Sequence, residues 1–177
     1  MRMVIPFARS LTLQTTRKNV ILAQEEVMEL ILWRHAEAED GMPDNARSLT
    51  AKGEKQADKM AAFLRTRLPH DTRILVSPAK RTQQTARALT RDFITESAIA
   101  PGASPQAVLK AADWLEGEGC ILIVGHQPSL GEAAALLMTG KPEYWTIRKG
   151  AVWWFSRRAH EGDYQTSLRL VIAPDHL

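Results

Sequence analysis

The chain has 177 residues, 45% of them apolar and 24% charged, the composition of an ordinary globular protein with one domain and a sizeable core. A net charge of +3 leaves no basic footprint for nucleic acid, and no apolar run reaches the length of a membrane span, so neither is an expected partner. The single cysteine, Cys120, excludes an intrachain disulfide; it lies in an apolar run and is expected to be a core residue in a reducing, cytoplasmic compartment.

Residues 1–27 carry Arg2, Arg9, Arg17 and Lys18 against Glu25 and Glu26, without hydrophobic periodicity. Pro6 and Arg9 break the only apolar start, which argues against a signal peptide, and Glu25-Glu26 argue against a transit peptide. Met28 immediately precedes the first strand. The expectation is a tail or a mis-assigned upstream extension over 1–27, followed by one domain over 28–177.

Within Glu29-Leu-Ile-Leu-Trp-Arg-His-Ala-Glu37, the unbroken apolar run Leu30 to Trp33 predicts a short strand buried on both faces. Ligands of open α/β sheets bind beyond the carboxyl ends of strands, where Arg34 and His35 fall. Residues 36–48 are polar, with Gly41 and Pro43 marking turns. Thr50 predicts a capped helix running to about Leu68, buried along Ala57, Met60, Ala61, Leu64 and Leu68 and ended by Pro69. A second strand, Arg73 to Val76, leads into Ser77-Pro78-Ala79-Lys80-Arg81. Ser77 reads as an N-cap with Pro78 in the first helical position, opening a helix to about Arg91 with Arg81 in its first turn. Lys80 reads as a surface charge.

Residues 92–104 have room for one brief strand but no inserted subdomain. Ser104-Pro105 predicts a helix carrying Val108, Ala112 and Leu115 inward, closed by Gly117. A third apolar strand, Cys120 to Val124, ends at Gly125-His126, and a helix with Leu130, Ala133, Ala134, Leu137 and Met138 follows as far as Gly140. Tyr144 and Trp145 are expected to cover the core edge. Strands over 151–156 and 166–173 read as a hairpin, in which Trp153 and Trp154 point to opposite faces. His70, His160 and His176 fall in turns or at the terminus and are expected to be exposed.

Three strands thus deliver Arg34, His35, Arg81 and His126 from their ends. Guanidinium groups offer planar forks of donors and a permanent charge to a dianionic oxyanion. Imidazoles beside them offer a nucleophile and a second proton-handling group. These residue types point to phosphoryl transfer.

Arg34-His35 with Glu37, Ser77-Pro78-x-x-Arg81-x-x-Gln84-Thr85-Ala86 and Gly125-His126, in this order and each after a strand, resemble the histidine phosphatase superfamily. The short length and the segment Arg47-x-Leu49-Thr50-x-x-Gly53 are most similar to its SixA-type phosphohistidine phosphatase branch. The resemblance implies a phosphoglycerate mutase-like fold, a three-layer α/β/α sandwich with a mostly parallel central sheet and a C-terminal antiparallel hairpin. It further implies His35 as the covalent nucleophile, with Arg34, Arg81 and His126 around the phosphoryl group and Arg47 as an additional phosphate-binding arginine. Glu37 is placed near the substrate as the general-acid candidate nearest in sequence, ahead of Asp40 and Glu96. Ala36 stands where the superfamily usually has glycine, a change expected to be tolerated if the backbone there does not need positive φ.

No metal or other cofactor is expected, because the arginines occupy the electrostatic role of a cation. The missing insertion implies an open, shallow site for a side chain presented by another protein. The expected substrate is a phosphohistidine protein and the expected state a monomer. Alternatives are a phosphatase of small phosphate esters or nucleotides on the same scaffold and a non-catalytic phosphohistidine-binding module. A metal-dependent hydrolase finds no ligand spacing here, and a sugar-phosphate mutase lacks its insertion.

Overall fold

A computed structural model describes residues 27–160 and 163–177, without the side chain of His160. The expectations for residues 1–26 and for the exposure of His160 lie outside the described residues. Strand β1 (Val27–Arg34) sits inside a six-stranded sheet with β2 (Arg73–Val76), β3 (Ile94–Thr95), β4 (Gly119–Gly125), β5 (Val152–His160) and β6 (Asp163–Ile172). The order is β3-β2-β4-β1-β5-β6. β1 to β4 pair in parallel, whereas β5 runs antiparallel to β1 and β6 antiparallel to β5.

Successive side chains of β1 face opposite layers. Leu30 and Leu32 join the core under α3 (Pro105–Ala111) and α4 (Ser129–Thr139), while Ile31 and Trp33 join the core under α1 (Ala51–Arg65) and α2 (Lys80–Leu89). All four are fully buried, each Leu or Ile stabilising by about 1.5–3 kcal/mol. This is the expected three-layer sandwich, and it explains the unbroken apolar run. Trp153 and Trp154 divide between the two cores as predicted. Cys120 is a core residue, and burial raises its thiol to about 11. Among the described residues no helix is long and apolar enough to cross a membrane.

Several elements depart from expectation. Ser77 does not cap α2, because its hydroxyl is 2.7 Å from His126 Nε2. The helix starts at Lys80 after an uncapped Ala79 and stops at Leu89, yet Arg81 still lies in its first turn. Helix α1 ends at Arg65, short of Leu68, which is half-buried beyond it. Helix α3 stops at Ala111, and the following turn, with Asp113 at φ 51°, buries Trp114. Leu115 points outward, 73% exposed, so the inward position predicted for it belongs to Trp114. Trp145 packs on Trp153 with ring centroids 6.0 Å apart, but Tyr144 is exposed. Met138 is also on the exposed side of α4. The hairpin strands are longer than predicted, with a bulge between Trp154 and Phe155.

Residues 92–104 contribute only β3 and a single 3-10 turn, Ser97–Ile99. Thr50 caps α1 as predicted, its hydroxyl accepting from Gly53 N at 2.9 Å. Gly53 is required by close approach, since a Cβ there would lie 1.9 Å from the Glu37 carbonyl oxygen. That contact seats α1 against the chain leaving β1. Gly53→Ala should force the two backbones apart and lower stability by about 1–3 kcal/mol, the usual range for overpacking, read as a lower urea midpoint.

Candidate active site

The parallel register sets the site. Arg34 pairs with Gly125, and Val76 pairs with Val124, so the residues after these strands emerge at one edge of the sheet. His35 N donates to Gly125 O and Gly150 N donates to His35 O, both at 3.1 Å. Trp33 Nε1 donates to Gly150 O, and Gly150 adopts φ 72°, a conformation glycine takes without strain. From α2, Thr85 Oγ1 accepts from Ala36 N at 3.1 Å, and Gln84 Oε1 accepts from Leu49 N at 2.9 Å. The Gln-Thr pair of the motif therefore clamps the backbone on both sides of the loop over the site. Ala36 is buried and outside the positive-φ region, so alanine there is unstrained, as expected.

His35 Nδ1 lies 2.7 Å from Ala36 O. A carbonyl oxygen only accepts, so Nδ1 carries the proton and Nε2 keeps its lone pair. That lone pair faces Arg81 Nε at 3.3 Å. Arg81 also donates from Nη1 to Asp44 O at 2.7 Å, from Nη2 to Asp44 Oδ2 at 2.9 Å, and from Nη2 toward His126 Nδ1 at 3.3 Å. A guanidinium only donates, so His126 Nδ1 accepts and its Nε2–H points at Ser77 Oγ. The hydroxyl can donate or accept, which lets His126 move its proton to Nδ1 when an anion needs a donor there. The two rings lie 5.3 Å apart between centroids.

These residues line a cavity of about 300 Å³ together with Arg34, Ala38, Asp44, Arg47, Pro101, Gln127 and Lys149. The four residues assigned from strand ends, and Arg47, therefore meet in one place. Arg34 is held by a 2.7 Å bond from Nη1 to Ile147 O, and its buried Nε has no hydrogen-bond partner among the described residues. Burial lowers its pKa. Arg47 donates to Glu39 O at 2.6 Å and to Asp44 Oδ1 at 3.0 Å.

Glu37 does not join this cavity. Its carboxylate faces Lys52 at 3.3 Å and Lys149 at 3.9 Å in a neighbouring depression, and the Lys52 hydrogen bond holds its carboxyl below the usual range. Asp40 pairs with Arg47 from the surface, and Glu96 caps a turn through Ala98 N. None of these three acid candidates lines the cavity. The lining carboxylate is Asp44, held below its usual range by hydrogen bonds from Arg47 and Arg81. Asp44 was not singled out from the sequence, where only its place three residues before Arg47 was available as a signal. Lys149 has no local signal either, because the Gly150 hydrogen bonds bring it to β1. Among the described residues no group of three His, Cys, Asp or Glu side chains is gathered for a metal.

Burial lowers His35 to about 4, with the charges of Arg81, Arg34 and Arg47 adding to that effect against the Ala36 hydrogen bond. Burial and the neighbouring His35 lower His126 to about 3. The site thus presents a neutral imidazole nitrogen beside guanidinium groups, suited to an electrophile that carries anionic oxygens.

The family model of the histidine phosphatase superfamily (branch 1) matches residues 30–102. A phosphohistidine phosphatase SixA homolog of Haemophilus influenzae is 34% identical over 126 residues, 62% of this chain and 77% of that one. An uncharacterized protein of a Picosynechococcus strain is 35% identical over 124 residues, 64% of this chain and 75% of that one. Among solved structures, the protein histidine phosphatase SixA complexed with tungstate superposes with a TM-score of 0.69 at 24% identity, covering 84% of this chain and 99% of that one. The chain belongs to the histidine phosphatase superfamily, among its SixA-like members. It is a hydrolase, a phosphatase of phosphate-bearing substrates.

The histidine shifts imply a pH dependence of folding. Both folded values lie below the ordinary value of 6.5. Between about pH 6.5 and 4 the unfolded chain therefore binds protons that the folded chain does not. This contribution to stability is complete above pH 6.5 and is lost as pH falls through that window. Urea unfolding should show a lower midpoint at pH 4.5 than at pH 7, with a smaller difference in His35→Asn. An equal difference in wild type and variant would contradict the assignment of a neutral buried His35.

Proposed function

We propose that the protein removes phosphoryl groups from histidine side chains of a partner protein through a covalent intermediate on His35. The observation that carries this reading is the Nδ1–H bond of His35 to Ala36 O, which leaves the Nε2 lone pair directed at Arg81. Nε2 forms a bond to phosphorus as the bond from phosphorus to the substrate imidazole breaks. A substrate ring protonated on its far nitrogen then leaves as neutral imidazole. His35 becomes a phosphorylated, cationic ring, and the Ala36 carbonyl stabilises that charge through Nδ1–H. Water next attacks phosphorus, the bond to Nε2 breaks, and both protons of the water leave with phosphate or pass to solvent.

Arg34, Arg81 and Arg47 supply positive charge to the equatorial oxygens, and His126 donates once its proton sits on Nδ1. Positioning and charge stabilisation are the main demands of phosphoryl transfer. The substrate preference follows from proton requirements. An alkyl ester leaves as an alkoxide unless an acid protonates it. The lining carboxylate, Asp44, is kept ionised by its arginine partners and is poorly suited to that role. An imidazole brings its own proton. A non-catalytic binding module fits less well, because binding alone does not require a neutral nucleophile with a fixed tautomer.

The experiment compares release of phosphate from a phosphohistidine protein and from p-nitrophenyl phosphate by wild type, His35→Ala and Arg81→Ala. Release should be faster from phosphohistidine, absent in His35→Ala, and reduced at least about 10²–10³-fold in Arg81→Ala, the usual loss for an oxyanion donor. Faster turnover of the ester would favour the small-molecule phosphatase, and full activity in His35→Ala would rule out the covalent route.

A further inference from the structure

We infer that Asp44 is an internal competitor of the substrate, a carboxylate that occupies arginine donors a phosphoryl group needs and that must be displaced for the group to bind. The inference rests on the reading of this cavity as the phosphoryl site and adds a determinant of which anions enter it.

Asp44 divides its two carboxylate oxygens between two arginines. Oδ2 accepts from Arg81 Nη2 at 2.9 Å and Oδ1 accepts from Arg47 Nη1 at 3.0 Å, the bridging role two oxygens of a phosphoryl group would take. The Asp44 carbonyl takes a further Arg81 donor. Of the Arg81 nitrogens, Nε faces His35, Nη1 is taken by the Asp44 carbonyl, and Nη2 is shared between His126 and the Asp44 carboxylate, so Asp44 holds a donor that also faces the two imidazoles. Asp44 is also the carboxylate among the residues lining the cavity.

The two partners differ in their freedom to move. The Arg81 side chain is 5% exposed and that of Asp44 is 46% exposed, so the carboxylate has an open path to water and the guanidinium does not. Asp44 begins a 3-10 turn, Asp44–Ala46, that buries no residue. Swinging the side chain out therefore sacrifices little packing.

Competition of this kind selects by charge. A phosphoryl dianion is drawn to the two guanidinium groups more strongly than a single carboxylate is, whereas a monoanion gains no such advantage. Asp44 thereby keeps the arginines ordered and favours dianions over singly charged diesters and carboxylates.

The test is calorimetric titration of inorganic phosphate into wild type, Asp44→Asn, Asp44→Ala, Asp44→Glu and Arg81→Ala at constant ionic strength, with KM and kcat for a phosphorylated substrate measured alongside. Asp44→Asn and Asp44→Ala should bind phosphate about tenfold more tightly, the factor expected when a competent arrangement rises from about a tenth to nearly all of the population. KM should fall in parallel, and Asp44→Glu, which keeps the charge, should retain the weaker wild-type affinity. A role limited to holding Arg81 in place predicts the opposite, weaker binding in both neutral variants, and that result or unchanged affinity would overturn the inference. Loss of binding in Arg81→Ala without a gain in Asp44→Asn would overturn it while leaving the phosphoryl site intact. Absence of phosphate binding in every form would overturn both.

Discussion

Burying the Arg81 guanidinium removes a full charge from water, at a cost of several kcal/mol unless neighbouring groups compensate. The rest of the site is arranged around that requirement. Helix α2 carries the side chain inward from its first turn, and Asp44 closes the outer side with a carbonyl and a carboxylate oxygen. Both imidazoles turn a nitrogen lone pair toward it. They can do so only when neutral, and burial together with the same positive charge keeps them neutral. A charge that would be a liability in an ordinary core thus adds to burial in keeping the nucleophile neutral.

The fold converts a pairing register into this arrangement. Three parallel strands end level with one another, and their next residues, His35, Ser77 and His126, meet without a long loop. Fine positioning comes from the backbone after β1, held by Gly125, Gly150 and Thr85. Gly53 and the Thr50 cap extend the same control to α1, so the loop bearing Asp44 and Arg47 is anchored at its far end. Membership of the histidine phosphatase superfamily accounts for the shared motifs, and the contacts of Gln84, Thr85, Thr50 and Gly53 show what those motif residues do here.

The architecture was largely legible in the chain because its signals are local. Runs such as Leu30–Trp33 and Cys120–Val124 read as strands covered on both faces, and Arg34, His35 and His126 follow them closely. Helix limits were less legible where a side chain had a distant partner. Ser77 resembles a cap and instead holds His126, and Leu115 cedes its inward place to Trp114, around which Arg157 ties the following turn by donating to the Leu115 and Gly117 carbonyls. The place of the Glu37 side chain was not legible for a related reason. Glu37 is nearest to His35 in sequence, but side chains two apart at the end of a strand are steered by whatever packs around them, and Lys52 and Lys149 draw Glu37 aside.

The sequence by itself determined which strands carry the chemistry, the residue types that meet an anion and the family to which they belong, because hydrophobic runs and the residues following them are properties of a continuous chain. Tertiary structure alone decided the tautomer of His35, the neutrality of both imidazoles, the exclusion of Glu37 and the entry of Asp44 and Lys149. Each of these depends on which groups share a desolvated volume, and that is settled by contacts between segments far apart in the chain.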